Sequence, residues 1–277
     1  MNPGELHEGL LRDLLAAGSP YRLALAGGYA AVAHGLTGRT GNRLGLATDS
    51  SVPMPDIAAA VTAELERRGW PVTGAEAGPL AARFVVAGPG GPAAFAGAVP
   101  EEGGVDGDGG RGDFATGPVP GGGAMGGGTV VPASDVEVHV AKEALWHPPV
   151  ATPIGLALSL EDLVGTKVRA LADRGLARDL VHVHAVADRW GRPDLEELGR
   201  RHAPDTFELS DLQARLAGAE WTDDREFRTY GVSRREVVAI RVWAQEWADD
   251  IAERLLEGAP PPEDSPDLED RADNGLS

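Results

Sequence analysis

The segment that most constrains the fold runs from Leu23 to Thr48 and reads LALAGGYAAVAHGLTGRTGNRLGLAT. An apolar run meets the pair Gly27 and Gly28, a short helix of small residues follows, and a strand comes after a polar turn. In that strand Leu44 and Leu46 share one face. A strand that breaks at glycines into a helix leaves backbone N–H groups free at the helix start, where an anion can bind. A glycine pair alone is more often only a tight turn.

The charge of the chain limits its partners. Among 277 residues, 25 are Lys or Arg and 43 are Asp or Glu, so the net charge is −18. Such a charge repels phosphate backbones and argues against nucleic acid as a partner, unless a local basic patch overrides it. The absence of cysteine excludes disulfides, thiol nucleophiles and Cys-type zinc sites. No signal peptide or membrane-length apolar run is present, which predicts a cytoplasmic protein without membrane contact.

Hydrophobic periodicity predicts an α+β protein in which a mixed sheet precedes a helical region. Residues 1–157 are predicted to form an α/β domain and residues 158–257 a helical domain. The glycine-rich segment 88–132 is predicted to be a mobile insertion, and the acidic segment 258–277 a disordered tail. Predicted helices cover 5–17, 55–68, 159–174, 177–189 and 193–202, with a long helix after Ser233; predicted strands include 70–73, 80–87 and 135–140.

The spacing of the opening segment is similar to that of the nucleotidyltransferase fold as used by the AbiEii/AbiGii toxin-type family. The matching residues are Gly27, Gly28, His34, Gly35, Leu36, Arg39, Leu44, Ala47 and Thr48. A later strand context, residues 138–143 (VHVAKE), also resembles the family, as do Lys167, Arg178 and Asp179. The resemblance implies a mixed β-sheet flanked by helices, with a helical C-terminal region.

The positions at which the family places its metal-binding and catalytic acids carry other residues here. They are Arg43, Gly45, His139 and His182, so the charge at these four positions changes from −4 to +1. Nucleotidyl transfer needs carboxylates to hold Mg²⁺, and histidine is a poor ligand for that ion. His182 and His184 lie two residues apart on a helix and do not share a face. We therefore expect no metal, no cofactor and no metal-dependent nucleotidyl transfer.

The resemblance and the substitutions together predict a cationic cleft that binds an anionic or polar small molecule. Acid/base or cyclisation chemistry would involve His139, Glu137, Arg43 and His182. Ligand binding would involve Gly27, Gly28, Arg39, Lys167 and Arg178. Glu137 and His139 are the pair suited to proton transfer near neutral pH.

Three alternatives remain open at the level of sequence. Arg43 could pair with Glu137 or Asp49 and only fill a disused site. The chain could be a non-catalytic interaction or regulatory module with a protein partner. It could also be an active, toxin-like nucleotidyltransferase that uses a nucleoside triphosphate and Mg²⁺, with Glu137, Asp135 and Asp49 as its carboxylates.

Overall fold

The computed structural model describes residues 3–37, 43–87 and 135–257. The helices are α1 (Pro3–Gly18), α2 (Gly27–Ala33), α3 (Met54–Arg67), α4 (Leu160–Arg174), α5 (Ala177–His184), α6 (Arg192–Arg201), α7 (Leu209–Ala217), α8 (Asp224–Thr229) and α9 (Arg234–Glu257). The strands are β1 (Ala24–Ala26), β2 (Arg43–Thr48), β3 (Val72–Ala77), β4 (Ala81–Val86), β5 (Val136–Lys142), β6 (Val150–Thr152) and β7 (Gly155–Ala157). The insertion predicted at 88–132, the tail predicted at 258–277 and Arg39 lie outside these ranges.

One seven-stranded sheet has the order β3-β4-β5-β2-β1-β7-β6. The pairs β2/β5 and β1/β7 are parallel, whereas the other neighbours are antiparallel. The sheet is thus mixed, and the predicted α+β class with a helical C-terminal region is confirmed. The parallel register places Arg43 beside Glu137 and Gly45 beside His139. Residues far apart in sequence are brought together on one face of the sheet in this way.

The other face of the sheet is apolar and packs on α1 and α3. In β5 the predicted inward residues Val136, Val138 and Val140 are buried, while Glu137 and His139 are only partly covered. Alternation along a strand produces this division because successive side chains point to opposite faces. Burial of the valines therefore directs Glu137 and His139 toward α4.

A second hydrophobic cluster fills the C-terminal helical region and includes Trp247, which is fully buried. Its indole Nε1 donates a hydrogen bond to Glu196 at 2.9 Å, so the ring satisfies its polar atom within the core. The prediction that Trp243 and Trp247 are core residues holds fully for Trp247, whereas Trp243 is only partly buried. The predicted apolar stripe of α9 is wrong at Leu255, which is 41% exposed.

Helix α4 begins where the capping pattern predicted it, because the Ser159 hydroxyl accepts a hydrogen bond from the Asp162 N–H at 3.0 Å. Helix α5 ends at His184 rather than near residue 189, where i→i+3 hydrogen bonds form turns instead. Strands β6 and β7 were not predicted, since three-residue strands after a Pro-Pro break show no periodicity. Within the described ranges, no helix is long and apolar enough to cross a membrane.

Candidate functional site

A cavity of about 360 Å³ lies between the polar face of the sheet and helices α4 and α5. Its wall combines the β1–α2 turn, β2, β5, both helices and Tyr230. Among the described residues, five basic side chains and one carboxylate, Glu143, line it; the five are Arg43, Lys167, Arg169, Arg174 and Arg178. A locally basic cavity therefore exists in a chain whose net charge is −18.

Arg43, Glu137 and His139 form a close group on the sheet, in which Arg43 is hydrogen-bonded to Glu137 and His139 lies in ion-pair distance of it. The Arg43 Nε–H donates to Glu137 Oε2 at 3.0 Å, and His139 Nε2 lies 2.8 Å from Glu137 Oε1. Burial raises the pKa of Glu137, but the nearby His139 and Arg43 outweigh this effect, so that the pKa lies below its ordinary value. Glu137 is the partner found for Arg43, whereas Asp49 pairs with Arg22 at 3.2 Å.

Gly27 and Gly28 both line the cavity, and open space surrounds the position of a Cβ on each. Gly27 has a φ of 60°, in the left-handed region that favours glycine, which explains the residue at this turn. Helix α2, which begins there, has only seven residues. A dipole contribution to anion binding from so short a helix is small. Ligand binding by these glycines stays a prediction.

A cluster of three cations surrounds the fully buried Asp179 on α5. Lys167 Nζ lies 3.4 Å from Asp179 Oδ1, Arg174 Nε lies 3.0 Å from Oδ2 and Arg178 Nε lies 3.9 Å from Oδ2. Lys167 is also buried, with 7% of its surface exposed. Burial lowers the pKa of Lys167, and Arg174 and Arg178 lower it further, while Asp179 raises it. One carboxylate cannot neutralise three neighbouring cations, so positive charge remains at the cavity wall.

His182 lies one helical turn after Arg178 and also lines the cavity. The residue is 3% exposed, and neither ring nitrogen has a hydrogen-bond partner among the described residues. Burial lowers the pKa of His182 to about 3, and the charges of Lys167 and Arg178 act in the same direction, against Asp179. The imidazole is therefore neutral at physiological pH.

The low pKa of His182 predicts acid sensitivity. Below pH 6.5 the unfolded chain binds a proton at this histidine, whereas the folded chain does not until about pH 3. Stability thus falls as the pH falls, by about 2 kcal/mol from this residue between pH 7 and pH 5. We expect His182→Asn to flatten the pH dependence of the unfolding free energy by that amount, as measured by urea unfolding at pH 7 and 5. A variant with the unchanged slope would contradict the neutral, buried state.

The described carboxylates at the cavity do not fit a Mg²⁺ site. No group of three or more His, Asp or Glu residues that could hold a metal ion occurs in the described ranges. Glu137 is engaged by Arg43 and His139, and Glu143 accepts two hydrogen bonds from Arg169 at 2.7 and 2.9 Å. A divalent cation would meet the five basic side chains before any free carboxylate. These residues therefore do not support a mechanism that uses a bound metal ion.

The structure brings most predicted site residues to one cavity: Gly27, Gly28, Arg43, His139, Lys167, Arg178 and His182. Glu137 is not one of the lining residues, but it contacts two of them, Arg43 and His139. The sequence reasoning did not select Arg169, Arg174 or Tyr230 as site residues. Arg174 lies seven residues after Lys167, a spacing that places both on one helix face, and this signal could have identified it.

No family model and no curated protein sequence matches the chain. Solved structures with a similar fold include two bacterial proteins. The Helicobacter pylori protein JHP933 has a TM-score of 0.48 at 13% identity, covering 93% of this chain and 97% of that one. The Mycobacterium tuberculosis nucleotidyltransferase toxin MenT4 has a TM-score of 0.49 at 16% identity, covering 90% of this chain and 84% of that one.

Proposed function

We propose that the cavity binds an anionic small molecule, carrying phosphate or carboxylate groups, without a metal ion. The observation that carries the proposal is the cation cluster around Asp179, in which Lys167, Arg174 and Arg178 share one carboxylate. An anion that enters the cavity compensates this excess charge. The attraction between this anion and the cations is stronger than in bulk water, because the protein walls have a lower effective dielectric constant.

The pairing of the other charged groups supports the same conclusion. Glu137 balances Arg43, and Glu143 balances Arg169 with two hydrogen bonds. These pairs leave the cluster around Asp179 as the part of the wall with uncompensated charge. Arginine is suited to this role because its planar N–H groups match phosphate and carboxylate oxygens in pairs.

The dimensions of the cavity suit a metabolite rather than a polymer. Its volume of about 360 Å³ falls in the range of about 300–1,000 Å³ for small-molecule sites. The negative charge of the whole chain repels long phosphate backbones, whereas a small anion meets the local positive charge alone. We therefore propose a small-molecule ligand and no nucleic-acid partner.

Glu137 and His139 are the residues that we propose carry out acid/base chemistry at the site. Glu137 accepts from Arg43 through one oxygen, and its other oxygen lies 2.8 Å from His139 Nε2. A carboxylate in this position holds the imidazole ring at the cavity wall. His139 is then placed to transfer a proton to or from a bound ligand, in acid/base or cyclisation chemistry. Because the described carboxylates at the cavity are already paired, this metal-free chemistry is favoured over nucleotidyl transfer.

A thermal-shift screen in EDTA tests the proposal. Pairs of charged and neutral compounds, such as sugar phosphates with their sugars and nucleotides with their nucleosides, are compared with inorganic pyrophosphate and dicarboxylates. We expect the charged member to raise the melting temperature, since a ligand at 100 times its Kd stabilises the folded state by about 2.7 kcal/mol. A protein whose melting temperature responds to none of the anions would contradict the proposal and favour the interaction module.

A further inference from the structure

His182 is a buried polar side chain whose hydrogen-bonding capacity is unused. It is 3% exposed, and both ring nitrogens lack a partner among the described residues. Buried polar groups are almost always hydrogen-bonded in folded proteins, because an unpaired one costs free energy. Because this unpaired imidazole lines the cavity, a molecule bound there is the available hydrogen-bond partner for one of its ring nitrogens.

Burial is the main reason that this imidazole stays neutral in the free protein, and charged neighbours add to the effect. Lys167 of α4 and Arg178 of α5 also disfavour its protonation. Asp179 favours protonation, but its effect is smaller than that of burial. Tyr230, which follows α8, packs edge-on against the ring at 6.3 Å between centroids and brings no charge. The ring thus lies in a positive environment that an anion would reverse.

The other titratable groups near α5 contact residues other than His182. His184 packs against Trp243 of α9 at 5.2 Å between ring centroids, and Glu236 of α9 acts on His184. Across the cavity, Arg43 and His139 belong to the group around Glu137. His184 is therefore a matched control for His182, since both are partly or fully buried on the same helix and only His182 lines the cavity.

We propose that His182 takes up one proton when an anion binds in the cavity and donates the resulting N–H to that anion. This inference rests on the proposed anion-binding function and adds its dependence on pH. At an effective dielectric constant of about 20, a negative charge about 4 Å from the ring of a buried histidine raises its pKa by about 3. A dianion can thus bring His182, whose pKa in the free protein is about 3, into the range near neutrality. Protonated imidazole then offers a charge-assisted hydrogen bond.

Sulfate is the probe for the experiment because it stays a dianion from pH 5.5 to 7.5. The Kd of the intact protein for sulfate is measured across this range in EDTA. We expect the affinity to increase as the pH falls, by up to tenfold per pH unit where the complex takes up a full proton. The His184→Asn variant should keep this dependence, whereas His182→Asn should lose it.

Two outcomes overturn the inference while leaving the proposed function intact. One is sulfate binding that does not vary with pH in the wild-type protein. The other is a pH dependence that persists in His182→Asn, which would assign the proton to another group, such as His139 or Lys167. If neither sulfate nor pyrophosphate binds at any pH, the proposed function itself fails. If His182→Asn does not fold, the ¹⁵N chemical shifts of the His182 ring in the wild-type protein are measured with and without sulfate. The inference requires that sulfate converts the neutral ring into an imidazolium, and a ring that stays neutral overturns it.

Discussion

Replacement of Asp179 with alanine is expected to lower the free energy of unfolding by about 3–5 kcal/mol. Asp179 is fully buried and lies within 4 Å of Lys167, Arg174 and Arg178. Its removal leaves three cations to repel one another. The buried Lys167 contributes most of the cost, since the side chains of Arg174 and Arg178 reach solvent. Urea unfolding of the two proteins at pH 7 measures the difference.

Asp188→Ala is the matched control for this substitution, because Asp188 is exposed and follows the same helix. We expect it to change stability by less than about 0.5 kcal/mol. The double variant Lys167→Met with Asp179→Leu should recover part of the loss, since it removes the buried lysine together with its counter-charge. An Asp179→Ala protein as stable as the wild type would show that the cluster is not electrostatically coupled.

Reversal of the charge at Arg178 is expected to weaken pyrophosphate binding by at least about 100-fold, or about 3 kcal/mol. Arg178 lines the cavity and is the least tightly held of the three cations, at 3.9 Å from Asp179. Arg178→Glu removes an attraction for the anion and adds a repulsion at the same place. Isothermal titration calorimetry on the wild type and the variant measures the ratio of the dissociation constants.

Arg67→Glu is the control for net charge, since it changes the charge of the chain by the same amount at an exposed position on α3. Arg67 lies outside the cavity and pairs with Glu64 on the same helix. We expect its effect on affinity to stay within about twofold at physiological ionic strength, because exposed charges beyond about 8 Å are largely screened. Equal losses in both variants would mean that the net charge of the protein, rather than the cavity, governs binding.

The sequence alone indicated much of the site because the site depends on strand register. The alternation in β5 identified Glu137 and His139 as outward residues, and the resemblance placed His139 near Arg43 and Gly45. The parallel β2/β5 pairing confirms that these positions are neighbours. The pairing of Arg43 with Glu137 was one of the alternatives considered, and the structure contains it.

Other parts of the site depend on tertiary packing, which local sequence patterns do not encode. The burial of His182 arises from packing of α5 against α4, α8 and α9, and Tyr230 reaches the ring from 48 residues further along the chain. Arg169 was not predicted as a site residue because its partner, Glu143, lies in the loop after β5, 26 residues earlier in the chain. The hairpin of β6 and β7 escaped prediction since each strand has only three residues.

The most direct test is a calorimetric titration of the wild-type protein with inorganic pyrophosphate, in EDTA and again with Mg²⁺. If basic side chains alone hold the anion, binding occurs in EDTA, and Mg²⁺ does not strengthen it, because the described carboxylates at the cavity are already paired with arginine. Binding that appears only when Mg²⁺ is present would contradict a metal-free site and restore the active, metal-dependent nucleotidyltransferase as the better interpretation.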